Sequence, residues 1–141
     1  MTMPAWPVSG GNEQVLEFDL DTTSDRWIRD TVRDLLAPDT DVVVVDDAVL
    51  SVDEMVVNAR EHGRSPWRCR LRLLADPARL RVEVDDSSTE DPFVRVPDAA
   101  GGRGMLLLER IAIEWGVIHY ARFKTVWAEV PLDRPRFPTA D

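Results

Sequence analysis

At 141 residues, with 44% hydrophobic and 30% charged side chains, the chain carries enough apolar material for one core of ordinary size and not for two. Its 17 basic against 26 acidic residues leave a formal net charge of -9, a field that repels nucleic acid and anionic membranes. The single cysteine, Cys69, cannot close an internal disulfide, Met1 to Gly11 lacks the basic start and apolar run of a signal peptide, and no apolar run approaches the ~20 residues of a membrane helix, so a cytoplasmic protein is expected.

Prolines and glycines mark residues 1–12 and 133–141 as tails, and the folded unit is expected over 13–132. Leu16, Phe18 and Leu20 alternate with Glu17 and Asp19, the period of a half-buried strand. Ser24 or Asp25 then caps a helix with Ile28, Val32, Leu35 and Leu36 on one side, ended by Pro38. A second helix, from about Ala48 to His62, presents Val52, Met55, Val56 and Ala59 to the core and stops at Gly63. Trp67, Cys69, Leu71 and Leu73 alternate with Arg68, Arg70 and Arg72, and Leu80, Val82 and Val84 with Arg79, Arg81 and Glu83, which predicts a hairpin turning at Asp76-Pro77. After a polar stretch from Ser87 to Ala100, Gly101-Gly102-Arg103-Gly104 opens a helix with Leu108, Ile111, Ala112 and Trp115 on one face, and strands follow near 117–121 and 124–130. The order predicts an α/β two-layer sandwich, a mixed sheet of about five strands covered on one face by three helices.

Neither G-x-x-x-x-G-K-[ST] nor G-x-G-x-x-G after a first strand is present. Three other features bear on chemistry. Glu54 and Asn58 stack four residues apart on the second helix, a carboxylate able to take a proton beside a hard oxygen donor suited to Mg²⁺, with Glu61 a turn further on. Asp86 continues the inward set of Leu80, Val82 and Val84, and an inward carboxylate needs a donor such as the exocyclic amino group of adenine, whereas Asp85 belongs to the outward set. The glycines around Arg103 let a backbone approach phosphate at a helix N-terminus. Alone, each has a plainer reading: a solvated helix face, a capped turn, a glycine-rich loop.

Together and in this order they carry a resemblance. Asp53-Glu54-Met55-Val56-Val57-Asn58-Ala59-Arg60-Glu61-His62-Gly63 resembles the N-box of the GHKL ATPases, Val82 to Ser88 their adenine-binding strand end, and Gly102-Arg103-Gly104-Met105-Leu106-Leu107-Leu108 their second glycine box. Glu114 to Val117 and Lys124 to Val130 look like the small anti-sigma serine kinases of actinobacteria. The resemblance implies Mg-ATP binding, with Glu54 the general base, Asn58 the Mg²⁺ ligand, Asp86 the adenine contact, and Ser88, Gly102, Arg103, Gly104, Met105 and Thr125 about the nucleotide. It makes 89–100 an ATP lid, and an anti-anti-sigma protein or a sigma factor the partner. Two departures stand out: Ser87 to Glu90 lacks the glycines of D-x-G-x-G, and Phe123 stands where glycine is common. The implied activity is phosphorylation of a serine on the antagonist protein, with a nucleotide-gated binding module lacking kinase activity as the alternative. By strand parity Trp127 and Thr125 share the outer face of the sheet with Arg68, Arg70 and Arg72, a pattern read as a partner or homodimer surface, against an aromatic shielded by arginine stems.

Overall fold

The computed structural model describes residues 14–36, 40–88 and 104–133. The expected tails, the lid segment and the glycine pair at 101–102 with Arg103 lie outside these. In chain order the elements are β1 (Gln14–Asp19), α1 (Asp25–Leu36), α2 (Val42–His62), β2 (Arg68–Leu74), β3 (Arg79–Asp86), α3 (Gly104–Ile111), β4 (Glu114–His119) and β5 (Lys124–Pro131).

The strands form one sheet in the order β1-β2-β3-β5-β4, and all four pairings are antiparallel, where a mixed sheet was expected. The connections explain this. Two helices separate β1 from β2 and return the chain beside its start in the opposite sense, while β2 to β3 and β4 to β5 are hairpins. The strands β1, β3 and β4 run one way, but β2 and β5 lie between them, so no two parallel strands are neighbours.

Ser24 caps α1, its hydroxyl accepting the Trp27 N–H at 3.1 Å. The helix buries Ile28, Val32 and Leu36 as the sequence pattern requires. The second helix begins six residues before the expected Ala48. Four consecutive valines favour a strand in isolation, but Asp41 accepts the Val43 N–H at 2.8 Å, and Val44, Val45, Ala48 and Val49 continue the buried stripe of Val52, Met55, Val56 and Ala59. Burial on a helical period outweighs the β-branched preference. At the other end of the domain, α3 stops at Ile111, and Trp115, expected on that helix, belongs to β4, where it faces inward opposite Ala128.

The core lies between the helices and the inner residues of the sheet: Cys69, Leu71, Leu80, Val82, Val84, Val126, Ala128 and Val130 meet the stripes of α1, α2 and α3. Fully burying side chains such as Leu71, Leu80, Ile28 and Ile111 stabilises by roughly 1.5–3 kcal/mol each. The helix α2 occupies the middle of the helical layer, packed against α1 on one flank and α3 on the other and lying over β3 and β5. Arg60 ties it to the β1–α1 turn through the carbonyls of Leu20 (2.8 Å) and Thr23 (2.7 Å) and an ion pair with Asp25, and Arg29 of α1 reaches Asp53 at 3.1 Å.

Candidate functional site

Three elements converge at one end of the sheet: the C-terminus of α2, the end of β3 and the start of β5. Strand alternation turns Asp86 inward as expected, and it is 2% exposed. Its partner, Lys124, comes from β5. Lys124 lies directly across the ladder from Asp86, also inward, and its Nζ donates to Asp86 Oδ1 at 3.2 Å and to the Ser88 carbonyl at 3.4 Å. The same Oδ1 accepts the Ser88 N–H at 2.7 Å. The donor that a buried carboxylate requires therefore comes from within the chain. An inward lysine at the end of a strand was the available signal, since it demands an inward acid on the neighbouring strand.

Gly63 also belongs to this cluster. It ends α2 with its N–H on the Ala59 carbonyl at 2.7 Å and a φ of -95°, which any residue can adopt, so its backbone conformation does not call for glycine. Space does: a Cβ there would sit 2.6 Å from Asp86 Cγ and 2.6 Å from the Ala59 oxygen. The end of α2 thus rests on the Asp86 carboxylate itself.

Glu54 and Asn58 are half-buried on α2. At about 100° per residue, Asp53 and Arg60 face α1, and Glu54 and Asn58 fall on the opposite flank, where α3 packs. With a rise of about 1.5 Å per residue, Asn58 lies about 7 Å and Glu54 about 13 Å along the helix from Gly63 and its contact with Asp86. Gly104 is the first residue of α3, while Gly102, Arg103 and the side chain of Met105 lie outside what is described. Among the described residues no group of three or more His, Cys, Asp or Glu forms a cage for a metal. A helix flank offering one carboxamide suits an ion whose remaining ligands are phosphate and water oxygens.

Thr125 requires a correction. The resemblance sets it about the nucleotide, but it lies where strand parity puts it, on the opposite face of the sheet from Lys124 and Asp86, where its hydroxyl donates to Asp85 Oδ1 at 2.6 Å.

That outer face is a lattice of paired charges. Arg70 grips Asp85 through both terminal nitrogens (2.7 and 2.8 Å) and Glu83 through Nε (2.7 Å), Arg81 joins Glu83 (2.8 Å) to Glu129 (2.9 Å), and Arg79 reaches Glu129 at 2.8 Å. The Asp85 hydrogen bond, working against burial, raises the Arg70 guanidinium above its ordinary value. Burial opposes charge on Arg81, Glu83 and Glu129, but their mutual hydrogen bonds outweigh it, holding Arg81 above and both glutamates below their usual ranges. The Arg81 guanidinium lies 4.4 Å from the Trp127 ring centroid, and the indole packs so closely over Gly116 that a Cβ there would come within 3.0 Å. The arginine over the Trp127 ring is Arg81 of the neighbouring strand, not one of Arg68, Arg70 and Arg72.

The comparisons with known proteins agree with this architecture. The histidine kinase-like ATPase domain family matches residues 18–128, most of the chain. No curated protein matches. Among solved structures, the crystal structure of the RsbU and RsbW domains of Rv1364c from Mycobacterium tuberculosis is similar at 25% identity and a TM-score of 0.62, over 86% of this chain and 33% of that one. This chain thus spans about a third of the length of that protein. No helix among the described residues is long and apolar enough to cross a membrane. With the family matching from within β1 to within β5, the chain belongs to the histidine kinase-like ATPase domain family.

Proposed function

We propose that the chain is an ATP-dependent serine protein kinase of the anti-sigma type, which phosphorylates a small anti-anti-sigma protein and so changes whether that protein or a sigma factor is bound. The observation that carries the reading is the order of groups along α2. Its C-terminal end touches Asp86, the carboxylate suited to an adenine amino group, and Asn58 and then Glu54 follow at increasing distance on the flank facing α3. A nucleotide with its base at Asp86 and its phosphates along that flank meets Asn58 before Glu54. The order matches base, metal-bridged phosphates and reacting end. The family and the RsbW-containing structure add to this reading.

In such a site Asn58 would hold Mg²⁺, which when bound neutralises charge on the phosphates. Asp86 selects the base, and Ser88, tied to Asp86 and Lys124, fixes where the chain leaves β3. Glu54 accepts the proton of the attacking serine hydroxyl, and proximity along a rigid helix supplies the positioning that phosphoryl transfer depends on.

Glu54→Gln tests the assignment. Phosphorylation of an antagonist protein, followed with labelled ATP, is expected to fall roughly 10²–10⁴-fold. ATP affinity by calorimetry is expected to stay equal or tighten slightly, because a negative charge near the triphosphate is removed. If the wild type labels no antagonist protein and partner binding still responds to ATP, a nucleotide-gated binding module replaces the kinase. One observation favours that second reading. Ser88 stands where D-x-G-x-G has its first backbone-permissive glycine and is held by Asp86 and Lys124, while Ser87 before it is tied to the Arg64 and Ser65 carbonyls.

A further inference from the structure

The bonds at the end of β3 distinguish the two oxygens of Asp86. Oδ1 takes the Lys124 ammonium at 3.2 Å and the Ser88 N–H at 2.7 Å. Oδ2 takes part in neither bond and lies beside Gly63, where a Cβ would come within 2.8 Å of it. The Asp86 and Lys124 side chains are 3% and 4% exposed, so water does not compete for this pair. Turning the carboxylate would draw Oδ1 away from the ammonium and from Ser88, and the tip of α2 at Gly63 closes the other side.

We propose that Lys124 is a positioning residue for base recognition: with Gly63 it holds the Asp86 carboxylate in one orientation, Oδ1 engaged and Oδ2 presented as the acceptor for the exocyclic amino group of a purine. The proposal rests on the nucleotide reading above and adds to it a source of base selectivity that acts through Asp86. A carboxylate on a flexible side chain would tolerate bases with and without an amino donor, because it could turn aside and find another partner. Held from two sides, it has one geometry, and a base lacking the amino group leaves a buried acceptor unmet. Lys124 also joins β5 to the Ser88 carbonyl, so the acceptor and the point where the chain leaves β3 move as one unit.

The test compares ATP with purine riboside 5′-triphosphate, which differs only in lacking the 6-amino group, by calorimetry on the whole chain. The wild type is expected to prefer ATP by roughly 10- to 100-fold, the range for a hydrogen bond to a charged group. In Lys124→Met the side chain keeps its length but loses its charge and donors, and the preference is expected to fall below about threefold, with affinity for the amino-free analogue nearly unchanged. Lys124→Arg, which keeps a charged donor, is expected to regain at least part of it. A Lys124→Met protein that keeps the full preference overturns the proposal. Should Lys124→Met not fold, Gly63→Ala decides: it presses on the carboxylate from the other side while leaving the ion pair's residues in place, and an undiminished preference there overturns the proposal equally. A wild type that binds both triphosphates alike overturns the proposal and the contact of Asp86 with the amino group but leaves nucleotide binding and the kinase reading standing, whereas a wild type that binds neither overturns all of these.

Discussion

Asp86 shows how one carboxylate couples stability and recognition. Because Lys124 is its buried partner, Asp86→Asn strands an ammonium out of water, and the expected loss is about 3–5 kcal/mol of stability in urea denaturation, beyond any effect on nucleotide affinity. Asp85, one residue away, answers to different chemistry. It holds both arms of Arg70 and the Thr125 hydroxyl on the outer face, so Asp85→Asn is expected to cost about 1–3 kcal/mol of stability and to leave base preference unchanged. A change in base preference on Asp85→Asn would contradict the assignment of the two faces. Gly63→Ala meets the Ala59 carbonyl as well as Asp86, and an overpacking cost of about 1–3 kcal/mol is expected by the same measurement.

At the scale of elements, α2 is the organising piece. It carries Glu54 and Asn58, touches Asp86 at one end, and lies between α1 and α3. Its first turn depends on Asp41, which accepts the Val43 N–H and compensates for valines that do not favour a helix. Asp41→Ala is expected to destabilise by about 1 kcal/mol, read as a lower thermal midpoint, with ATP affinity unchanged because the site lies at the far end of the helix. A loss of ATP affinity as large as the loss of stability would mean that the helix moves as a rigid body when its cap is lost. The early start of α2 was hidden in sequence because Val42 to Val45 fits a strand as well as a helix over four residues, and only continuation of the buried period through Ala48 and Val49 separates them.

For the molecule as a whole, the outer face of the sheet links stability to pH. Glu83 and Glu129 have their carboxyls held below the ordinary glutamate value of 4.5 by their arginine partners. A carboxyl whose pKa is lower in the folded state stabilises fully above its unfolded value and loses that contribution as pH falls through the folded one. Stability by urea denaturation is therefore expected to hold from neutrality down to about pH 4.5 and to fall below it, with Glu129→Gln showing a shallower fall. An equally steep fall in Glu129→Gln would assign the acid sensitivity to other carboxylates. The sequence by itself determined the order of elements, the inner and outer sets of β1, β2 and β3, the inward turn of Asp86 and the family, because alternation along strands and the helical period are local properties of the chain. Only the tertiary structure decided that Lys124 closes on Asp86, that Gly63 is small because α2 ends against that carboxylate, that Thr125 belongs to Asp85, and that Arg81 covers Trp127. Each of those contacts depends on which strands are neighbours and in what register, and neither is written in any one segment.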